Sequence, residues 1–305
     1  MESKQPLVSA IVTTYKRRPE MIRRALESVL NQTYANVELI VVDDSPADFE
    51  FRDDVKALCE SYGERARYER HEKNLGACAA RNTGIDKARG EFVACLDDDD
   101  EWLPTKIEKQ LRKFESDKIG LVYCGNFIVN EKRGVRYEEK RPVYVGAIFP
   151  RLILRNTIGS TSFAMFRRDV AIEVGKFDVE MPAAQDYDLW LRIAEKYEVE
   201  SVDEPLVNYF VHDGEQITQS KTKKATAYRR LLQKHAAYLK KHPKARAIRL
   251  LRLAVFQMHD DWFDGLKLWF KAFCACPFLV GELYGAAKGL VYVALFEKKR
   301  KEGRK

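Results

Sequence analysis

No pair of cysteines in this sequence has the partner pair that a zinc site needs. The six cysteines fall singly within apolar segments, apart from one Cys-x-Cys at Cys274 and Cys276, and they read as reduced core residues of a cytosolic protein. The dinucleotide fingerprint G-x-G-x-x-G is missing, because the first strand pattern runs into TTYKRRPE instead. A phosphate-gripping Walker loop is missing too, so a nucleotide bound here has to be held by side chains and a metal. The stretch MESKQPLVSA has no apolar run behind positive charge, which gives the expectation of no signal peptide and a protein on the cytosolic side. The segment nearest to a membrane span, Phe278 to Phe296, is interrupted by Glu282, Lys288 and three glycines, and makes a poor one.

What is present suits a folded enzyme-sized chain. The 305 residues suffice for one large α/β domain with an appendage or for two modest domains, and 46% hydrophobic with 32% charged residues is ordinary for a globular protein. Charge is unevenly divided. Residues 1–220 carry 32 Lys and Arg against 40 Asp and Glu, whereas residues 221–305 carry 21 against 6. An acidic body with a basic tail implies different partners for the two parts.

Along the body, strand and helix patterns alternate. Leu7 to Thr14 and Val37 to Val42 are nearly continuous apolar, β-branched runs, as in parallel strands covered on both faces. Pro19 opens a helical pattern over Met21, Ile22, Ala25, Leu26, Val29 and Leu30, and Val55, Leu58, Cys59 and Tyr62 mark a second. A short strand over Ala66 to Glu69 precedes a small-residue helix through Ala77, Ala80, Gly84 and Ala88. The next strand, Phe92 to Leu96, runs directly into Asp97-Asp98-Asp99-Asp100, and Trp102 to Pro104 then open another helical pattern. Four adjacent carboxylates repel one another, so a strand end that holds them calls for a cation. Further on, Leu121 to Asn130 and Val135 to Glu139 flank EKRG as a hairpin, and Thr161 to Phe166 reads as a strand. Gln185-Asp186-Tyr187-Asp188 precedes a helix over Leu189 to Tyr197, and Val199 to His212 returns as strand and loop. The tail reads as helices over Thr222 to Lys241, Ala245 to His259, Trp262 to Cys276 and Phe278 to Lys298.

Four segments in order, VSAIVTTYKR, SVLNQTYANVELIVVDDS, NLGACAARNTGIDKARGEFVACLDDDDEWLP and QDYDLW, resemble the family 2 glycosyltransferases over about residues 6–213. The resemblance implies an α/β GT-A fold, a Rossmann-like and mostly parallel sheet flanked by helices, with residues 1–220 as the catalytic domain and 221–305 as a basic helical extension. It implies an inverting transfer from a nucleotide diphosphate sugar, with UDP the expected nucleotide, to a hydroxyl of a glycan or lipid-linked acceptor. Thr13 and Tyr15 match nucleoside contacts, although the usual Pro-Thr-Tyr-Asn reads Thr-Thr-Tyr-Lys here. Asp44 matches the carboxylate that accepts from the base, and DDSPAD stands where relatives often carry a glycine after the paired aspartates. Arg81 matches a position near the phosphates or base. Asp97 and Asp99 match the family's D-x-D, with Asp99 the first choice for Mn²⁺ or Mg²⁺ and Asp97 and Asp98 meeting ribose or metal-bound water. His212 matches a late histidine near the metal or diphosphate, and Asp186 the general base.

Without that resemblance, Asp186 and Asp188 would pass for helix N-terminal charges and Trp102 and Trp190 for helical core residues. A non-catalytic nucleotide-sugar-binding or scaffold protein of the same fold is the competing reading, and the presence of a base beside the aspartates disfavours it. No nucleic-acid motif accompanies the basic tail, and none is expected to bind. Its apolar stretch from Phe278 followed by EKKRKEGRK suits peripheral attachment to an anionic membrane on the cytosolic face, or else a helix packed on the catalytic domain. Residues 245–277 resemble a single tetratricopeptide-like hairpin.

Overall fold

The computed structural model describes residues 5–211 and 220–292. The chain divides into two compact units, Met1–Val179 with Gln185–Asp213, and Glu180–Ala184 with Gly214–Lys305.

The first unit is built on one sheet in the order β3-β2-β1-β4-β8-β6-β9-β5. Its first half is parallel: β1 (Val8–Thr14), β2 (Val37–Asp43), β3 (Ala66–Arg70) and β4 (Phe92–Asp97) alternate with α1 (Pro19–Leu30), α2 (Arg52–Glu60) and α3 (Ala77–Lys87). The continuous apolar runs become strands because both faces are covered. Val8, Ala10, Ile11 and Val12 of β1 and Leu39 to Val42 of β2 are fully buried, each large side chain stabilising the fold by roughly 1.5–3 kcal/mol. On α3 the small residues allow close approach. A Cβ at Gly84 would lie 2.4 Å from Ile11 Cγ2, so any larger residue would push α3 off β1.

The second half of the sheet is mixed. β5 (Glu101–Trp102) pairs antiparallel with β9 (Glu198–Phe210), β8 (Ala164–Arg167) runs antiparallel to β4 and to β6 (Ile119–Asn130), and β6 and β9 are parallel. The expected hairpin is β6 with β7 (Val135–Glu138), turned through a left-handed Gly134. Helices α4 (Lys106–Leu111), α5 (Phe149–Leu152), α6 (Arg168–Glu173) and α7 (Gln185–Ala194) complete the unit.

Three local expectations are corrected. Trp102 is buried in strand β5 and not in a helix, which begins only at Lys106; the backbone NH of Leu103 pairs with Leu206 O and holds the segment to the sheet. Thr161 to Phe163 forms a 3-10 turn, because the Ser160 side chain caps it by accepting from Ser162 N, and β8 starts after it. The Gln185-Asp186-Tyr187-Asp188 motif does not precede α7; it is its first turn.

The second unit contains α8 (Lys221–Lys234), α9 (Ala236–Lys241), α10 (Pro243–Gln257), α11 (Trp262–Ala275) and α12 (Val280–Tyr292). The single helix expected over Thr222 to Lys241 is broken at His235, and the part of the last expected helix beyond Tyr292 lies outside the described residues. Asp261 caps α11 by accepting from Asp264 N at 3.1 Å, and Ala247, Leu250, Leu251, Ala272, Leu283 and Ala286 form the core. Among the described residues no helix is long and apolar enough to cross a membrane.

Candidate active site

The strand order puts a topological switch between β1 and β4, and ligands of open α/β sheets lie beyond the carboxyl ends of strands at such a point. Register assembles the residues there: Thr13 stands opposite Asp97 on β4, and Thr14 opposite Asp43 on β2. Beyond Thr14 the chain turns away, with Lys16 in the left-handed region and its backbone NH donating to Ser45 Oγ at 2.8 Å. Tyr15 is left 45% exposed, with the Lys16 ammonium 5.6 Å from its ring centroid.

Asp44 is buried and already well occupied. Its Oδ1 lies 2.7 Å from His71 Nδ1 and accepts from Leu75 N at 2.8 Å, and its Oδ2 accepts from Gly76 N at 2.8 Å. Gly76 has φ +90, which a residue with a side chain adopts only with strain, and it opens α3. One carboxylate thus fixes the loop that launches the helix carrying Arg81. The other ring nitrogen of His71 lies 2.9 Å from Thr83 Oγ1 on that same helix.

The four consecutive aspartates have four different environments. Asp97 accepts from Arg81 Nη2 at 2.7 Å and lies within 3.3 Å of the Ser160 and Thr161 hydroxyls. Arg17 donates to both oxygens of Asp98 at 3.3 Å and approaches Asp99 at 3.7 Å, supplying positive charge to that pair. Asp100 is 1% exposed and points inward, accepting from Ser162 Oγ at 2.6 Å and Phe210 N at 3.2 Å. Side-chain exposure is 33% for Asp99, 30% for Asp97 and 11% for Asp98.

Burial raises the Asp98 carboxyl to about 6, Arg17 opposing the rise and Asp99 adding to it. Burial, then Asp97 and Asp99, hold Asp100 well above the ordinary range. A carboxyl raised from 3.8 to about 6 gives up its proton later in the folded chain than in the unfolded one. Between those pH values it therefore subtracts stability as pH rises, by up to about 3 kcal/mol at neutrality. Asp98→Asn accordingly raises the melting temperature of the metal-free protein by a few degrees at pH 7.5, and the gain disappears as the pH is lowered toward 4. A differential melting series over that range is the check.

Arg81 carries the site from the sheet to α7. Buried against Phe177, it donates through Nη2 to Asp97 and through Nη1 to Gln185 Oε1 at 3.1 Å, the residue just before Asp186. Asp186 accepts from Tyr187 N at 2.7 Å in the first turn of α7. Burial raises its carboxyl to about 6, with Tyr187 N and Arg81 opposing and Asp97 adding to the rise. The Tyr209 phenol on β9 is pushed up by burial and then by the charges of Asp100, Asp97, Asp99 and Asp186. Asp188 is wholly buried and paired with Arg192 at 2.8 Å, which makes it a strut of α7.

Among the described residues no three His, Cys, Asp or Glu side chains are arranged to hold a metal ion. Magnesium and manganese take one or two protein carboxylates and complete an octahedron with water and phosphate oxygens, a demand that the partly exposed Asp99 and Asp97 can meet. His212 lies outside the described residues.

Several site residues escaped the sequence reading. Arg17 lies in the basic run KRR without a distinguishing signal, and Ser160 to Ser162, Gln185, His71 and Tyr209 are ordinary polar residues made local by tertiary packing. Asp100 could have been singled out: a fourth carboxylate in a turn leading into buried Trp102 has to point inward or out to water.

Residues 9–175 match the family model described as Glycosyl transferase family 2. The Escherichia coli protein WcaA, provisionally described as a colanic acid biosynthesis glycosyl transferase, is 33% identical over 237 residues, covering 75% of this chain and 81% of that one. An uncharacterized glycosyltransferase of Methanocaldococcus jannaschii is 29% identical over 210 residues, covering 68% and 72%. Among solved structures, S. aureus TarS 1-349 in complex with UDP-GlcNAc aligns with TM-score 0.66 at 17% identity over 97% of this chain and 92% of that one. Against a longer TarS chain, this chain spans 53% of the length. The Pyrobaculum calidifontis mannosyltransferase PcManGT in complex with GDP-Man and Mn²⁺ aligns with TM-score 0.62 at 17% identity, covering 97% and 89%.

Proposed function

Because the chain belongs to glycosyl transferase family 2 and has its GT-A fold, we propose that the carboxylate crevice transfers a sugar from a nucleoside diphosphate donor to an acceptor hydroxyl with inversion, Asp186 acting as general base. The observation that carries this reading is the Asp97–Arg81–Gln185 chain, which ties the strand-end aspartates to the first turn of α7, where Asp186 stands.

Each side chain then has work suited to its surroundings. Tyr15 stacks on the base and Thr13 lines its edge. Asp44 holds the loop before α3, and a further lone pair on Oδ2 remains for a base N–H. Arg81 and Asp98 bound the ribose and diphosphate. Asp97 and Asp99 hold a divalent cation, with His212 as a further candidate ligand. When bound, manganese or magnesium supplies Lewis acidity beside the leaving diphosphate. The acceptor oxygen forms a bond to the anomeric carbon as the bond to the diphosphate oxygen breaks on the opposite face, and the hydroxyl proton passes to the Asp186 carboxylate. A carboxyl near 6 is largely ionised at neutral pH yet basic enough to take that proton.

One neighbour bound to UDP-GlcNAc and another bound to GDP-Man and Mn²⁺ support a nucleoside diphosphate sugar and a divalent metal, with UDP the first choice on the sequence resemblance. A glycan or lipid-linked acceptor, a catalytic domain over residues 1–220 with a helical extension over 221–305, and a cytoplasmic protein peripheral to the membrane complete the reading. The experiment is a donor screen over UDP-, GDP- and dTDP-sugars with Mn²⁺ or Mg²⁺, following hydrolysis and transfer. Donor binding without turnover in any combination would point to a non-catalytic nucleotide-sugar-binding protein. With an active donor, kcat/KM rises tenfold per pH unit up to about 6 and levels above it, since the base works only when ionised. A flat profile from pH 5 to 7.5 removes Asp186 from the role.

A further inference from the structure

The aromatic residues of α11 point to a second surface. At 100° per residue, Phe263, Leu266, Phe270 and Phe273 fall within one arc of about 80°. Their exposures are 70%, 38%, 59% and 41%, so this stripe faces outward. The opposite side of the helix is used by the fold: Ala272 is buried in the core, Leu268 and Trp269 pack against it, and Gly265 lies against Met258. A third sector separates the two. Lys267 and Lys271 are exposed along one border of the aromatic arc, Lys267 paired with Asp264 at 3.2 Å. The turn after α11 exposes Phe278 at 91%, and α12 exposes Tyr284 at 61%.

We propose that this face of α11, with the turn into α12, lies in the surface of an anionic lipid bilayer. Apolar arc, packed inner face and basic flank are what an interfacial helix needs, with rings at the headgroup boundary and lysines reaching the phosphates. Charge selects the occupant. Residues 221–305 carry 21 Lys and Arg against 6 Asp and Glu, which attracts anionic lipid and repels a second copy of the same surface. The apolar stripe occupies one side of α11 while the other side is packed, so the association is in the plane. It goes beyond the transfer reaction and is measured without turnover, so either reading can fail alone.

The test uses the full chain and vesicles of phosphatidylcholine with or without phosphatidylglycerol. The wild type floats with the mixed vesicles, more weakly as salt is added, and far less with phosphatidylcholine alone. The combined variant Phe263→Ser/Phe270→Ser/Phe273→Ser loses at least about tenfold in partitioning with an unchanged melting temperature, and Lys271→Glu weakens binding at low salt. If the triple variant unfolds, quenching decides: brominated acyl chains dim wild-type tryptophan fluorescence, and Trp262→Phe removes the quenched component. Equal flotation of wild type and a folded triple variant, indifference to lipid charge, or absence of quenching overturns the proposal. So does a wild-type dimer that the triple variant converts to monomer, since a second copy would then cover the face.

Discussion

Asp186→Asn binds the donor as the wild type does and transfers sugar 10²- to 10⁴-fold more slowly, the range that a positioned general base supplies. The substitution keeps the shape of the side chain and its acceptor oxygen toward Tyr187 N, so α7 retains its first turn. It removes the one feature required, a carboxylate able to take a proton. Gln185 still meets Arg81, so the strand-end aspartates keep their partner. Isothermal titration with the donor and initial rates with the acceptor separate the two effects. An Asn variant with full rates assigns the proton to another group.

The second large effect falls on Asp99. Its carboxylate is the most exposed of the cluster and stands next to Asp98, which Arg17 already engages. Asp99→Ala removes a candidate oxygen ligand without opening the core, so folding is little changed. Donor affinity measured with Mn²⁺ falls on the order of 100-fold, about 2.7 kcal/mol, to the value found with a chelator present. A variant that keeps the full difference between metal and chelator places the cation on other residues. Asp100→Ala behaves differently: it leaves the Ser162 hydroxyl proton and Phe210 N without their acceptor and lowers stability.

The first hundred residues were the most legible. Their apolar runs are long, β-branched and bounded by turns, so β1, β2 and β4 follow from periodicity, and Pro19 marks α1 as proline at a first helical position does. The rest depended on partners distant in sequence. Trp102 looks helical in isolation, and only its pairing with Val207 makes it a strand residue. Asp97, Asp99 and Asp186 were named by motifs as candidates, whereas Arg17, which meets Asp98, carried no such signal. An arginine among three basic residues carries no sign of which carboxylate it will meet.

The bond from Phe210 N to Asp100 Oδ1 spans 110 residues of chain. During synthesis at about 5–20 residues per second, Phe210 follows Asp100 out of the ribosome by roughly 6–20 s. Until then Asp100 has to stay hydrated, because its buried position lacks one of its donors, and β5 has no β9 to pair with. The parallel half can collapse around β1 in that interval, since its contacts lie within the first hundred residues. Nascent chains arrested before Phe210 emerges would hold a protected β1–β4 sheet and an open aspartate turn, which amide exchange on stalled complexes can read.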